Sequence, residues 1–372
     1  MTVFLANLFL FFLLVPYLSF PVFDSDVQPV FAFVAILLLF LTTLSKRKIK
    51  FDRVDLVFFA ISLYSVLFIS LEDDPVLKKQ IGLLVAFLIY YTYKRYKQYL
   101  SINTVYLALS VLISGAIFQY FFPEIFASIF ENFINHIRYH PEQGRGLTSL
   151  TPEPGFFAAS LTLISFILSS NKMKRVESNR KYYFIQFAII FFLLMTKSLA
   201  SIIFLALILI NLFGVKKSLM AMMLVFIGLY GSAERAGVIL DKVRDGEILS
   251  DKSIAHRVSN LYTAWYAITN SPLGHGSGSF KRIALVAEDD SNSRGVYLLD
   301  DDSALVIVSS FSRLTVEMGF IFILFLFYFY IFKHKVGMAP KLASFFMLFV
   351  TFPIVYPGIW ILLCLDNIHK KH

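Results

Sequence analysis

Four short stretches of this sequence join a positive charge to residues that loosen the backbone or can move a proton. The first is GRGLTSLTPEPG, residues 144–155. Arg145 stands between Gly144 and Gly146, whose missing side chains allow close approach of backbone to a ligand, and a carboxylate, Glu153, follows. The second is MTKSLAS, residues 195–201, a tight turn holding Lys197. The third runs from Arg257 to the block SPLGHGSGSF, residues 271–280, with His275 among glycines. The fourth, SRLTVEMG, residues 312–319, carries Arg313 and Glu317. A guanidinium grips a phosphate through two parallel hydrogen bonds, and an ammonium acts on it as a point charge. A carboxylate or imidazole can take a proton from a hydroxyl. The chemistry within reach is therefore anion binding by Arg145, Lys197, Arg257 and Arg313, with Glu153, His275 or Glu317 as general base.

Each feature also has a plainer reading. Thr151 is a good N-cap, Pro152 fits the first helical position and Glu153 falls in the first turn, so TPE reads as a helix start. That leaves Arg145 and its glycines without an account. Cations near a membrane boundary also snorkel or pair with acids such as Glu142, Asp245 and Glu247. A turn between two apolar runs needs something polar, which covers Lys197. GHGSG is no Walker loop, because no Lys-Ser/Thr follows. A lone histidine in a turn, such as His275, is more often neither base nor ligand.

The elements that must position these residues are apolar. The chain is 58% hydrophobic, only 16% charged, and has a mean hydropathy of +0.71, where a soluble domain carries about a quarter charged residues. Apolar runs fall at 3–20, 27–44, 54–70, 79–93, 101–121, 154–170, 182–196, 198–213, 216–232 and 313–333. Their length suits a bilayer core of about 30 Å. Pro353 and Pro357-Gly358 divide 340–366 into two short helices. The expectation is an all-α polytopic membrane protein of about 12 transmembrane helices; the alternating segments of a barrel are absent. The N-terminal run lacks a basic n-region and reads as a retained first span.

The net charge of +9 comes from Lys and Arg scattered through short loops, which is how membrane orientation is set rather than how nucleic acid is bound. Loops 45–53, 92–100, 171–181, 214–218, 333–341 and 367–372 are basic, and the turns near 21–26 and 71–75 are acidic. Both termini are then cytoplasmic. The chain divides into helices of 1–121, an outside segment 122–153, helices of 154–232, a large outside loop 233–312 and helices of 313–372. Within 122–153, EIFASIFENFINHIRYH has helical apolar spacing and a polar opposite face. It suits a helix lying in the outer interface, either packed on the spans or walling a cleft. The one cysteine, Cys364, leaves no intramolecular disulfide and no cysteine metal site.

In this order the segments resemble the O-antigen polymerase and O-antigen ligase superfamily, over roughly residues 140–366. RGLTSLTPEPGFFA is similar to its Arg-Gly stretch followed by Glu-Pro at a helix start, and TKSLASIIFLAL to its Thr/Ser-rich turn. The run from Arg257 to PLGHGSG and the helix SRLTVEMGFIFILFLF complete the likeness. In ligases a histidine precedes the Glu-x-Gly by about nine residues; here Val308 and Ser309 stand there, which favours the Wzy-type polymerase.

The resemblance implies a glycosyltransferase of the bacterial inner membrane that makes O-antigen, capsule or exopolysaccharide. The growing glycan would leave a polyprenyl diphosphate for another lipid-linked repeat unit at the outer face. Arg145, Lys197 and Arg257 would hold the diphosphate by family position and Arg313 by depth, without metal or cofactor. Partners would be membrane lipid, the lipid-linked oligosaccharide, and assembly proteins such as a flippase or chain-length regulator. A ligase and a lipid-linked-oligosaccharide transporter are the alternatives; the transporter predicts charges within the spans, and almost all charges here lie at the ends. On this topology, single cysteines replacing Arg145 and His275 label from outside intact cells. Labelling only after permeabilisation would overturn it.

Overall fold

Helices need only local hydrogen bonds, and this chain has the apolar surface to pack them side by side. The computed structural model of the protein describes residues 1–17, 27–44, 50–68, 81–130, 134, 146–170, 179–214, 218, 252–294, 309–332, 336–350 and 352–365. Among these residues the fold is all-α. The first helices are α1 (Thr2–Leu14), α2 (Val30–Leu44), α3 (Arg53–Leu67), α4 (Gly82–Tyr96), α5 (Ile102–Phe121) and α6 (Pro123–Phe130). A central trio follows: α7 (Pro154–Ser169), α8 (Asn179–Met195) and α9 (Leu199–Phe213). The rest are α10 (Lys252–Asn270), α11 (Phe280–Ser293), α12 (Ser310–Met318), α13 (Phe320–Phe332), α14 (Met338–Phe349) and α15 (Pro357–Leu362).

The core is built around α7. Every residue of that helix except Gly155 is buried, against α1, α5, α8, α9 and α15. A helix apolar all round must sit in the middle of its neighbours. Its hydroxyls are satisfied inside: Thr162 donates to the Ala158 carbonyl, Ser165 to Gln186, and Ser169 pairs with Tyr182. Outward faces are apolar too. Phe33, Phe40, Phe59, Leu67, Phe184, Phe187, Leu324 and Phe327 are all exposed, far more than a water-facing surface normally carries.

Helix lengths are less uniform than the apolar runs suggest. Among the described residues only α5, with 20 residues, is both long and apolar enough to cross a bilayer by itself; α1, α2, α7, α13, α14 and most of α9 are apolar but shorter. The expected single span at 313–333 is two helices, α12 and α13, broken at Gly319, where φ is +60°. The break has a cause. Phe320 N–H donates to the Pro272 carbonyl at 2.8 Å, and a Cβ on Gly319 would collide with that same carbonyl. The proline-marked stretch 340–366 does form two short helices, α14 and α15, with Pro353 between them. Of the expected amphipathic helix at 124–140, α6 covers the first part; its remainder, apart from Ile134, lies outside the described residues, as does the run 216–232 except Ser218.

Helix ends are sorted. The Gln28 N–H donates to the Pro16 carbonyl, joining the end of α1 to the start of α2. Tyr17 stacks on Phe156 of α7 and on Tyr356 before α15. At the opposite end, Asp52 and Asp55 form a capping box on α3, and Lys94 from the last turn of α4 reaches both carboxylates at 2.6 Å. Asn7 of α1 ties down Ser101 and Thr104 at the start of α5.

Replacing Gly319 by alanine forces a side chain into a left-handed backbone facing Pro272, a cost of about 1–3 kcal/mol. Gly319→Ala is expected to lower the thermal unfolding midpoint in detergent; an unchanged midpoint would count against the contact.

Candidate functional site

The segment after Arg145 is fixed from beneath by a residue with no sequence motif. Gln119, fully buried in the last turn of α5, accepts from the N–H groups of Thr148 at 3.0 Å and Ser149 at 2.8 Å. Its amide donates to the Thr148 hydroxyl at 2.8 Å. Ser149 takes a left-handed φ of 52°, and its hydroxyl donates to the Leu112 carbonyl. One amide side chain thereby reads three polar groups of this segment. The amphipathic pattern of α5 gives no sign of it, because glutamine near a helix end is unremarkable.

The helix start differs from the expected one. Glu153, not Thr151, is the N-cap of α7, and Pro154, not Pro152, opens the helix. The Thr151 hydroxyl instead lies within bonding distance of the Thr148 carbonyl (2.7 Å) and the Glu153 carbonyl (2.9 Å). The reason is tertiary: residues 148–151 are already committed to Gln119 and to each other. Glu153 therefore precedes the helix and is not a first-turn acid, and its side chain makes no capping bond.

Gly146 brings the second segment in. Leu147 N–H donates to the Met195 carbonyl at 3.1 Å, and any Cβ on Gly146 would overlap the Met195–Thr196 backbone. The next residue, Lys197, is exposed and left-handed, with φ 46°. Ser149 and Lys197 are the non-glycine residues with positive φ among those described. Strained backbone of this kind persists only where its surroundings hold it, and here the two strained residues lie on interlocked segments. Ser198 is the N-cap of α9, again without a side-chain capping bond. A Cβ on Gly155 would lie 3.8 Å from the Ser198 hydroxyl, so the N-termini of α7 and α9 sit side by side. Two helix starts contribute unpaired N–H groups and the positive ends of two dipoles beside the Lys197 turn. Such an arrangement suits an anion. Arg145 lies outside the described residues, one position before Gly146.

A second cluster forms where the glycine block meets the broken helix. His275 N–H donates to the Val316 carbonyl and Gly276 N–H to the Glu317 carbonyl, both at 3.0 Å. Ser277 N–H donates to the Phe68 carbonyl at 2.8 Å. A Cβ on Gly274 would strike the Glu317 carbonyl and the Gly319 amide. The sequence admits a ligand-facing role for these glycines; the structure gives Gly274 a backbone of its own chain to face. Glu317 is 1% exposed. Its Oε1 accepts from Arg313 Nε at 3.0 Å and from Gly278 N–H at 3.1 Å, while Oε2 is buried with no hydrogen-bond partner. His275 is half-buried; it bonds the Ala267 carbonyl, and its Nε2 is enclosed without a partner. Burial, outweighing that bond, holds its pKa below the ordinary value, and Arg282 adds to the effect. The imidazole is neutral at pH 7.

Both clusters occupy one end of the bundle. Ser310, opening α12, donates to the Phe352 carbonyl at 2.6 Å, and the Phe352 ring meets Phe156 at the start of α7, centroids 4.9 Å apart. The structure thus unites Gly146, Glu153 and Lys197 in one group and His275, Arg313 and Glu317 in another. Arg257 lies further up α10, a helix packed on α11 and α12. No family model matches the chain, and no curated protein matches it.

Because His275 is held neutral, its contribution to stability is complete above its ordinary pKa of 6.5 and is lost as pH falls through the lowered folded value. Thermal midpoints of the wild-type protein should therefore drop between neutral and acid pH more steeply than those of His275→Gln; parallel curves would refute this. Gly146→Ala should separate the two interlocked segments and lower the thermal unfolding midpoint; an unchanged midpoint would count against the contact.

Proposed function

We propose that the protein is a bacterial inner-membrane polymerase of surface polysaccharide: O-antigen, capsule or exopolysaccharide. It moves a growing glycan from polyprenyl diphosphate onto another lipid-linked repeat unit at the outer face. The observation that carries this reading is the pair of adjacent helix N-termini beside Lys197, on the segment that follows Arg145 in sequence. Such a cradle suits a diphosphate, the leaving group of this reaction. The belt of exposed phenylalanine and leucine supports a multi-pass membrane protein of about twelve helices. The gathering of the acidic-loop ends and the motif segments at one end of the bundle supports placing that end outside. The motif order of the O-antigen polymerase superfamily supplies the substrate class.

In the proposed step the acceptor hydroxyl oxygen attacks the anomeric carbon of the donor sugar. The bond from that carbon to the diphosphate oxygen breaks, and its electron pair leaves with the polyprenyl diphosphate. Lys197, Arg145 and the helix dipoles stabilise the charge that grows there. The hydroxyl proton passes to Glu153, which stands at the cradle's edge and does not cap its helix. Glu317 and His275 are enclosed, so their role in this reading is to hold the glycine block and Arg313 in place.

Arg145→Ala and Lys197→Ala are each expected to reduce polymer formation by about 10²–10³-fold, with membrane insertion intact. Arg145→Lys should rescue poorly, because an ammonium cannot make the bidentate contact. Wild-type chain length in both alanine variants would overturn the reading. In a deletion strain, single capped repeat units should persist while long chains vanish; loss of all attached glycan would indicate a ligase instead.

A further inference from the structure

The segment 233–312 reads from sequence as a water-facing loop, yet the part of it that is described presents apolar residues outward. On α10, Val258, Leu261 and Trp265 are exposed at i, i+3 and i+7, one stripe of a helix. The opposite face, with Ala264 and Ala267, is buried against α11 and α12. Past the end of α10, Leu273 is 65% exposed. The stripe does not stop there. The Pro272 carbonyl accepts from Phe320 N–H at 2.8 Å, which places Leu273 beside the start of α13. Exposed Phe320 and Leu324 then carry the apolar surface down that helix. At its other edge the stripe meets a polar rim. Trp265 is 50% exposed, packs on the Tyr262 ring, and lies under the Arg294 guanidinium. Asp290 holds Arg294 at 3.0 Å and accepts from the Tyr262 hydroxyl at 2.6 Å.

We infer that the α10–α11 hairpin is seated in the outer leaflet, with Val258, Leu261, Trp265 and Leu273 against phospholipid acyl chains and the Tyr262–Asp290–Arg294 rim at the headgroups. Tryptophan and tyrosine favour this boundary because their rings are apolar on one side and polar on the other. A sugar platform would need free hydroxyl partners along the stripe; Val258, Leu261 and Leu273 offer none, and the exposed Thr269 hydroxyl is turned back to the Trp265 and Tyr266 carbonyls. Proximity to the flank of α13 decides for lipid: the Phe320–Pro272 bond sets Leu273 beside Phe320, with Thr269 and Asn270 the exposed polar residues between Trp265 and Leu273. The consequence is that the His275–Glu317 cluster lies at membrane depth, where a lipid-linked substrate travels. The inference rests on the membrane reading of the chain, not on the glycan chemistry.

Trp265 reports its own surroundings, since the only other tryptophan, Trp360, is fully buried. The test compares wild type with Trp265→Phe in nanodiscs of phosphatidylcholine and phosphatidylglycerol, with acyl chains either plain or brominated near the headgroup. The difference between the two proteins isolates Trp265 emission without disturbing the core. That emission should be blue-shifted and lose intensity in brominated lipid, as expected of an apolar face buried at the headgroup boundary, with little loss to acrylamide. Phe327→Trp in the Trp265→Phe background places a second reporter on α13. Quenching by brominated lipid at 327 but not at 265 overturns the inference and leaves the membrane reading standing. Quenching at neither position removes both. Strong acrylamide quenching of Trp265, or a shift on adding glycan without any from brominated lipid, also overturns it.

Discussion

The contact on which the candidate site depends is Gly146 against the Met195–Thr196 turn. Backbone meets backbone there, and no other residue fits. Without it the starts of α7 and α9 would have no reason to lie at the same level. With it, Gly155 and Ser198 become neighbours and two helix dipoles point at the same place. Lys197 is carried along, held in a strained left-handed conformation by the turn it belongs to. Gln119 secures the other side of the joint, reading both faces of the Thr148–Ser149 segment from a buried helix end. An unpaired amide at that depth costs about 1–3 kcal/mol, so this segment has one arrangement rather than several.

A second joint of the same kind sits at the other motif pair. Gly274 and Gly319 lie face to face, and the break between α12 and α13 is its consequence. An interrupted helix leaves backbone groups unpaired, which apolar surroundings do not tolerate. Here the glycine block supplies the partners: the carbonyls of Val316 and Glu317 and the amide of Phe320 all bond to residues 272–276. Glu317 completes the joint from its side chain, tied to Arg313 and to the Gly278 amide. Buried charge is retained where it is both paired and hydrogen-bonded, and one of its oxygens meets that condition.

The opposite end of the bundle works differently. Lys94 between Asp52 and Asp55 closes the α3–α4 hairpin with a three-residue ion cluster, and the capping box sets the start of α3. Cap, acid and cation there belong to neighbouring helices, and Asn7 with Ser101 and Thr104 is the longer-range tie at that end. The end with the glycine joints links segments far apart in the chain, and it is also where Lys197 and Arg313 lie.

The sequence by itself determined that the chain is helical and oily, where its helices roughly run, and that Pro353 divides the last stretch. Each of these follows from composition or from interactions a few residues apart, which periodicity and proline chemistry record. It also marked the residues of the site by type: Glu153, Lys197, His275, Arg313 and Glu317. Only the tertiary structure decided how they are used. It moved the N-cap of α7 from Thr151 to Glu153 because Gln119 had already claimed the preceding segment. It split the span at Gly319 because Pro272 docks there, and it gave Gly274 of the PLGHGSG block the backbone of α12 to face instead of a ligand. Contacts between segments distant in sequence leave no periodic trace, and a glycine needed for one looks in the sequence like any other glycine.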